Sequence, residues 1–296
     1  MIRSRPHRGG AVLRVAVGRH GGIARDGELG PRERRCGACV VPAPISAASV
    51  RRIESADMAS PVPARWHHLH LAAPDPAAAA DWYATQLGGQ RRTYGEYELA
   101  LFDGHFFTWY RDGDAARSQG SVVDHFGWSV PNLEETMDRL VAAGATALDG
   151  PRTVGDAQLK ISFLDDPWGA KLELLEDADL LGFHHVHVVV PEPEAEREWW
   201  RDRFGGAPER FKELVPGLRH PRFWMLFREA QESVAPSRGR SIDHLGLRLE
   251  DVDAACRELA GRGEELEGAP ADFGPNRFAF LSSPSGVRVE LFQVGA

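Results

Sequence analysis

The chain has 296 residues, 43% of them hydrophobic and 26% charged, which is enough for one large domain or two of ordinary size. The formal net charge is −8, but residues 1–57 hold 11 Arg and no Lys against 5 acids, so the remainder carries −14. That acidic body excludes the basic face a nucleic-acid partner needs, and no uninterrupted apolar run is long enough to span a bilayer.

Residues 1–57 are rich in Arg, Gly and Pro and have no sustained periodicity. The apolar piece AVLRVAV is broken by Arg14, which makes a poor signal-peptide core. The expectation is an extension over residues 1–64 that is disordered or not native, with Met58 as a natural start and the protein cytoplasmic. Cys36 and Cys39 form a lone CxxC in this segment, without the second Cys or His pair that zinc requires. With Cys256 they are too few for a disulfide framework.

The first ordered element is read from Trp66, where WHHLHLAAPDP predicts a strand running into a Pro-acid-Pro turn. An amphipathic helix follows in AAAADWYATQLGGQ and stops at the glycine pair. From Phe183 the chain repeats the pattern as FHHVHVVVPEP, EAEREWWRDRF and Gly-Gly. A shorter version starts at Asp124 (DHFGWSVPNLEETMDRLVAAGA) and again at Asp243 (DHLGLRLEDVDAACRELAGRGE). These run into ISFLDDPWGAKLELLE and FAFLSSPSGVRVELFQ, which read as hairpins around Pro-x-Gly turns.

The chain is therefore four copies of one module: strand, helix, then two or three strands. One such module buries little apolar surface alone, so pairing is expected. The expected pairs are first with second and third with fourth, giving tandem domains over 65–178 and 182–294. The fold class is α+β, with four βαβββ modules in two mixed sheets.

The first strands of all four modules share a histidine: His68, His125, His185 and His244. The final strands of modules two and four share Glu173 and Glu290. Two imidazoles and one carboxylate make a facial set that holds a divalent ion and leaves positions for substrate. The expected triads are His68, His125, Glu173 and His185, His244, Glu290. Fe(II), Mn(II), Ni(II), Co(II) and Zn(II) all suit these donors.

Strand alternation places His70 and His187 on the ligand face, one step along, as contacts to substrate or to the ligands. It turns His67 and His184 away, as structural residues. His105 lies 37 residues after His68 and His220 lies 35 after His185, each before a strand. These two are the candidate proton-transfer residues, since an imidazole titrates near working pH. Dense aromatics, Phe163 and Phe280 among them, suit an apolar pocket for a small molecule.

On these motifs, residues 65–294 resemble the vicinal oxygen chelate superfamily, which includes glyoxalase I, extradiol dioxygenases and bleomycin-binding proteins. The resemblance implies that each sheet is an open cup with a metal inside, Fe(II) or Mn(II) favoured, that chelates two adjacent oxygens of a small-molecule substrate. It implies an extradiol-type dioxygenase, an oxidoreductase, first; a glyoxalase or epimerase type of lyase or isomerase second; and a non-catalytic drug-binding protein third. Phe163 and Phe280 stand where those dioxygenases carry a tyrosine. The last strands of modules one and three carry no acid where glyoxalase I has its second glutamate. The protein is expected to act as a monomer or homodimer.

Overall fold

The computed structural model describes residues 60–295. The expectations for residues 1–57, for a start at Met58 and for Cys36 and Cys39 lie outside the described residues. Residues 60–64, expected within the extension, are held in place: Val62 is buried in the core and its N–H donates to the Arg203 carbonyl at 2.8 Å.

Module one comprises β1 (Arg65–Ala73), α1 (Pro76–Leu87), β2 (Gln90–Tyr94), β3 (Tyr97–Phe102) and β4 (His105–Arg111). Module two comprises β5 (Val123–Ser129), α2 (Leu133–Ala142), β6 (Thr146–Ala147), β7 (Arg152–Val154), β8 (Leu159–Asp165) and β9 (Lys171–Leu175). Module three repeats the first as β10 (Gly182–Val190), α3 (Pro193–Phe204), β11 (Ala207–Phe211), β12 (Val215–His220) and β13 (Phe223–Glu229). Module four repeats the second as β14 (Ile242–Arg248), α4 (Val252–Gly261), β15 (Ala271–Phe273), β16 (Asn276–Ser282) and β17 (Arg288–Gln293).

The helices begin where the sequence supplies caps. Asp75 accepts from the Ala77 and Ala78 N–H groups, Pro76 opens α1 where its missing donor costs nothing, and Gly88 ends it in the left-handed region at φ 76°. Asn132 and Asp251 cap α2 and α4 in the same way.

Four modules in two mixed sheets are as expected, but the partners differ. One sheet runs β15-β16-β17-β14-β1-β4-β3-β2, joining modules one and four. The other runs β11-β12-β13-β10-β5-β9-β8-β6, with β7 on β8, joining modules three and two. The expected pairs, one with two and three with four, are thus replaced by one with four and two with three.

Connector length explains the exchange. Residues 176–181 separate β9 from β10, and β5 lies between those strands, parallel to β9 and antiparallel to β10. So short a link keeps module three on the sheet of module two. The connectors over residues 112–122 and 230–241 are longer and change sheet. They run side by side, with bridges Ala116–Arg240 and Ser121–Ala235 and a 2.7 Å hydrogen bond from Ser241 N–H to the Ala116 carbonyl.

One continuous core joins both sheets through their outer faces. Phe107 of β4 meets Phe126 of β5 at 5.2 Å, and Trp66 of β1 stacks on Phe183 of β10 at 5.0 Å. The opposite, inner face of each sheet carries the shared pattern of the repeat: His68, His70, His244 and Glu290 on one sheet, and His125, Glu173, His185 and His187 on the other.

Candidate metal centres

Register builds each cluster. In the first sheet β1 and β14 are antiparallel, with His70 opposite His244 and His68 opposite Gly246. Parallel pairing of β14 with β17 sets Gly246 opposite Glu290. In the second sheet His187 lies opposite His125, His185 opposite Gly127, and Gly127 opposite Glu173.

Each glycine is required by its neighbour. A Cβ on Gly127 would stand 2.1 Å from His185 Cε1, and one on Gly246 would stand 2.1 Å from His68 Cε1. The imidazole lies flat across a backbone that has no side chain, which is the physical content of the repeated His-x-Gly.

The donor atoms then converge. His125 Nε2 is 3.0 Å and His185 Nε2 is 3.3 Å from Glu173 Oε2. His68 Nε2 is 2.9 Å and His244 Nε2 is 3.2 Å from Glu290 Oε2. All these side chains are buried. The triads are therefore His68, His244, Glu290 and His125, His185, Glu173, not those expected from the order of modules. His68 and Glu173 belong to different centres because their modules belong to different sheets.

Around each triad lies a shell that fixes the imidazoles. His125 Nδ1 and His244 Nδ1 each pair with the preceding aspartate, Asp124 or Asp243, at 2.6 Å. Lys171 holds Asp124 at 2.7 Å and Arg288 holds Asp243 at 2.8 Å. Both carboxyls are held below the usual range: burial opposes the shift, and the histidine and the cation outweigh it. With Nδ1 engaged, Nε2 is the nitrogen that points at the glutamate.

His67 and His184 do not turn away as strict alternation requires. The register slips between Trp66 and His68, and between Phe183 and His185. Each slip brings the extra histidine beside its neighbour: His67 Nδ1 to His68 Nδ1 at 3.0 Å, His184 Nδ1 to His185 Nδ1 at 2.9 Å. His184 Nε2 in turn reaches Asp177 Oδ2 at 3.2 Å.

Electrostatics of the clusters are those of a cation site. Burial would raise Glu173 and Glu290, but their histidines hold both well below the usual carboxylate range. His125 and His244 are raised: burial opposes this, and the flanking aspartate and glutamate prevail. His185 is lowered to about 4, chiefly by burial. Two imidazole nitrogens facing one carboxylate oxygen need a positive charge between them, either a proton or a divalent ion, and the donor set suits the ion.

Phe163 and Phe280 lie beside the clusters, edge-on to His125 at 5.2 Å and to His244 at 5.1 Å. Lys171 sits 4.8 Å over the Phe163 ring and Arg288 sits 3.9 Å over Phe280. His105 and His220 are not brought to either cluster, which corrects their expected place. Phe106 pairs with His68, so the adjacent His105 faces the opposite side of the sheet. There it meets Phe102 and Phe183 and borders a cavity of about 440 Å³ between the sheets. His220 stacks on Phe223 at 4.6 Å, in the core with Trp66 and Trp200.

Sequence reasoning missed Asp124, Asp243, Asp177 and the role of Gly127 and Gly246. The signal was present for four of them in the repeated Asp-His-x-Gly of DHFG and DHLG.

Two copies of one cup-shaped βαβββ pairing, each with a buried His-His-Glu cluster, define the class. The chain belongs to the Glyoxalase/Bleomycin resistance protein/Dioxygenase superfamily, whose family model matches residues 65–174 and 182–291. Glyoxalase I from Zea mays has a similar fold, with TM-score 0.64 and 16% identity over 78% of this chain and 92% of that one. A dioxygenase-family protein from Bacillus subtilis gives TM-score 0.60 and 14% identity over 79% and 86%. These identities establish likeness of fold alone. No curated protein matches the chain. Among the described residues no helix is long and apolar enough to cross a membrane.

Proposed function

We propose that the protein is a metal-dependent enzyme that takes a small molecule with two adjacent oxygens and shifts a proton on it, as a lyase or isomerase. The observation that carries this reading is the convergence, twice, of two imidazole Nε2 atoms on one buried glutamate oxygen within 3.3 Å. His68, His244 and Glu290 would hold one ion, and His125, His185 and Glu173 the other. A divalent ion there supplies Lewis-acid charge that favours an enediolate over its neutral precursor.

The chain's own part is binding, orientation and proton handling. Phe163 and Phe280 give apolar walls that exclude water beside the ligands. Asp124 and Asp243 keep the imidazoles in one orientation. The histidines approach Oε2 of each glutamate, so Oε1 is the anionic atom left to take and return a proton. Both halves of each site come from one chain, so a monomer suffices, and we place it in the cytoplasm.

Preference for proton transfer over oxygen chemistry rests on His105 and His220. The dioxygenase resemblance gives an acid-base role to a histidine at their position, and both face away from the clusters, whereas an enediolate-type reaction can use a cluster glutamate instead. The two-His, one-Glu set favours the second reading, an extradiol-type reaction on Fe(II) or Mn(II).

The test is anaerobic incubation of metal-loaded protein in D₂O with α-hydroxycarbonyl compounds and, separately, with catechols in air. Deuterium entering the α-carbon without O₂ uptake supports proton transfer. O₂ uptake with a catechol and no exchange reverses the order. Metal analysis that finds nothing bound after reconstitution removes both and leaves a binding protein.

A further inference from the structure

The third histidine of each cluster leaves ring nitrogen unpaired. His70 Nε2 and both ring nitrogens of His187 are buried without a hydrogen bond. Leaving such an atom unpaired costs on the order of 1–3 kcal/mol. The same vacancy at the same repeat position in two modules is not an accident of packing.

Position gives the reason. His70 is directly opposite His244 across β1 and β14, and His187 is directly opposite His125 across β10 and β5. The ring centroids in those pairs are 4.4 and 4.7 Å apart. In each cluster one donor atom from every one of the four residues lies within 4.8 Å of all the others. On the adjacent strand the residues paired with His70 and His187 are Thr108 and Leu226, so no acid competes for that side of the cluster.

We infer that His70 and His187 are metal ligands, so that each centre is a three-histidine, one-glutamate site rather than a two-histidine, one-glutamate triad. The inference rests on the metal-dependent reading above and goes past it in one respect. A six-coordinate divalent ion held by four side chains keeps two positions. That is the number a substrate fills through two adjacent oxygens, with none over for a third reactant. The four-donor set therefore fits proton transfer on a chelated α-hydroxycarbonyl compound.

The experiment is calorimetric titration of the metal-stripped protein with Ni(II), and absorption spectra with Co(II), for the parent chain, His125→Leu and His187→Leu. His187→Leu is expected to weaken the second centre at least tenfold, roughly the scale of a lost supporting contact or more, and to change the Co(II) spectrum. Its metal-free melting temperature should hold or rise, because the unpaired nitrogens are gone. His187→Gln keeps the bulk with an oxygen donor and should weaken binding in the same direction if the leucine variant does not fold. Unchanged affinity and spectrum in the His187 variants, with affinity lost in His125→Leu, overturns the fourth ligand and leaves the metal reading intact. No Ni(II) or Co(II) bound by the parent chain overturns both.

Discussion

Replacing Gly127 by alanine tests how the clusters are built. The added Cβ would lie 2.1 Å from His185 Cε1, 2.2 Å from Nδ1 and 2.7 Å from Nε2. Ordinary carbon contacts begin near ~3.5 Å, so the ring must retreat by more than about 1 Å. Gly127 is not among the residues with positive φ, so its backbone accepts alanine and the clash falls on the ring alone. A ring that retreats loses its 2.9 Å contact to His184 and its 3.3 Å approach to Glu173. Overpacking of this kind costs about 1–3 kcal/mol. A ligand displaced by about 1 Å should lower activity at that centre by about 10²-fold. The assay is metal stoichiometry by mass spectrometry with Ni(II) calorimetry on Gly127→Ala and Gly246→Ala. Each should empty or weaken one centre and leave the other as an internal standard. Full loading at parental affinity in both variants would refute the close-approach argument.

The crossed pairing makes His68→Ala and Glu290→Ala remove the same equivalent of metal, although 222 positions separate them. The double variant should lose no more than either single one, whereas His68→Ala with Glu173→Ala should lose both centres. Asp124→Asn and Asp243→Asn keep the shape but weaken the grip on Nδ1, and each should cost about 10–100-fold in metal affinity at its own centre, read by competition with a chelator. His105 and His220 are both lowered to about 4, His105 by burial above all and His220 by burial alone. A base with a depressed pKa favours the fold above its unfolded value near 6.5, and that stability is lost as pH falls toward 4. Each contributes about 3 kcal/mol over that window. Urea unfolding of the metal-free protein should show a shallower acid slope in the His105→Gln, His220→Gln double variant, the rest of the slope belonging to buried cluster imidazoles such as His185, and an unchanged slope would refute the contribution of these two.

Much of the fold was legible because repetition is. The paired Asp-His-x-Gly and His-His-x-His stretches marked four modules, their element order and the candidate ligand residues. Which modules share a sheet was not legible, because it depends on connector length and on the mutual pairing of residues 112–122 with 230–241 rather than on any strand's own pattern. Alternation also failed at one place in each odd module. A rule of period two turns His67 and His184 away, but one extra residue in the ladder returns them to the ligand side. The side chosen by His105 was misread for a related reason: its spacing from His68 says nothing about register, and its neighbour Phe106 holds the inner position.

The two centres are not equivalent, and the difference lies one residue beyond the ligands. In the second centre Asp177 accepts from His184 Nε2, and Lys212 steadies that carboxylate at 3.0 Å. His184 Nδ1 must then be the acceptor, His185 Nδ1 the donor, and His185 Nε2 a free lone pair. The first centre has no such chain. Four residues beyond Glu290 stands Val294 where Asp177 follows Glu173, and His67 stacks on Phe292 at 5.1 Å instead. His68 is free to carry its proton on Nε2, toward a glutamate oxygen only 2.9 Å away, against 3.3 Å for His185. A metal entering the first centre must wait for that proton to move to Nδ1, whereas the second presents a lone pair already turned inward. The second centre should therefore load first and bind its ion more tightly. Installing the missing acid with Val294→Asp should narrow the gap, while Asp177→Asn should close it from the other side. Two centres of equal affinity would show that the relay does not set the tautomer.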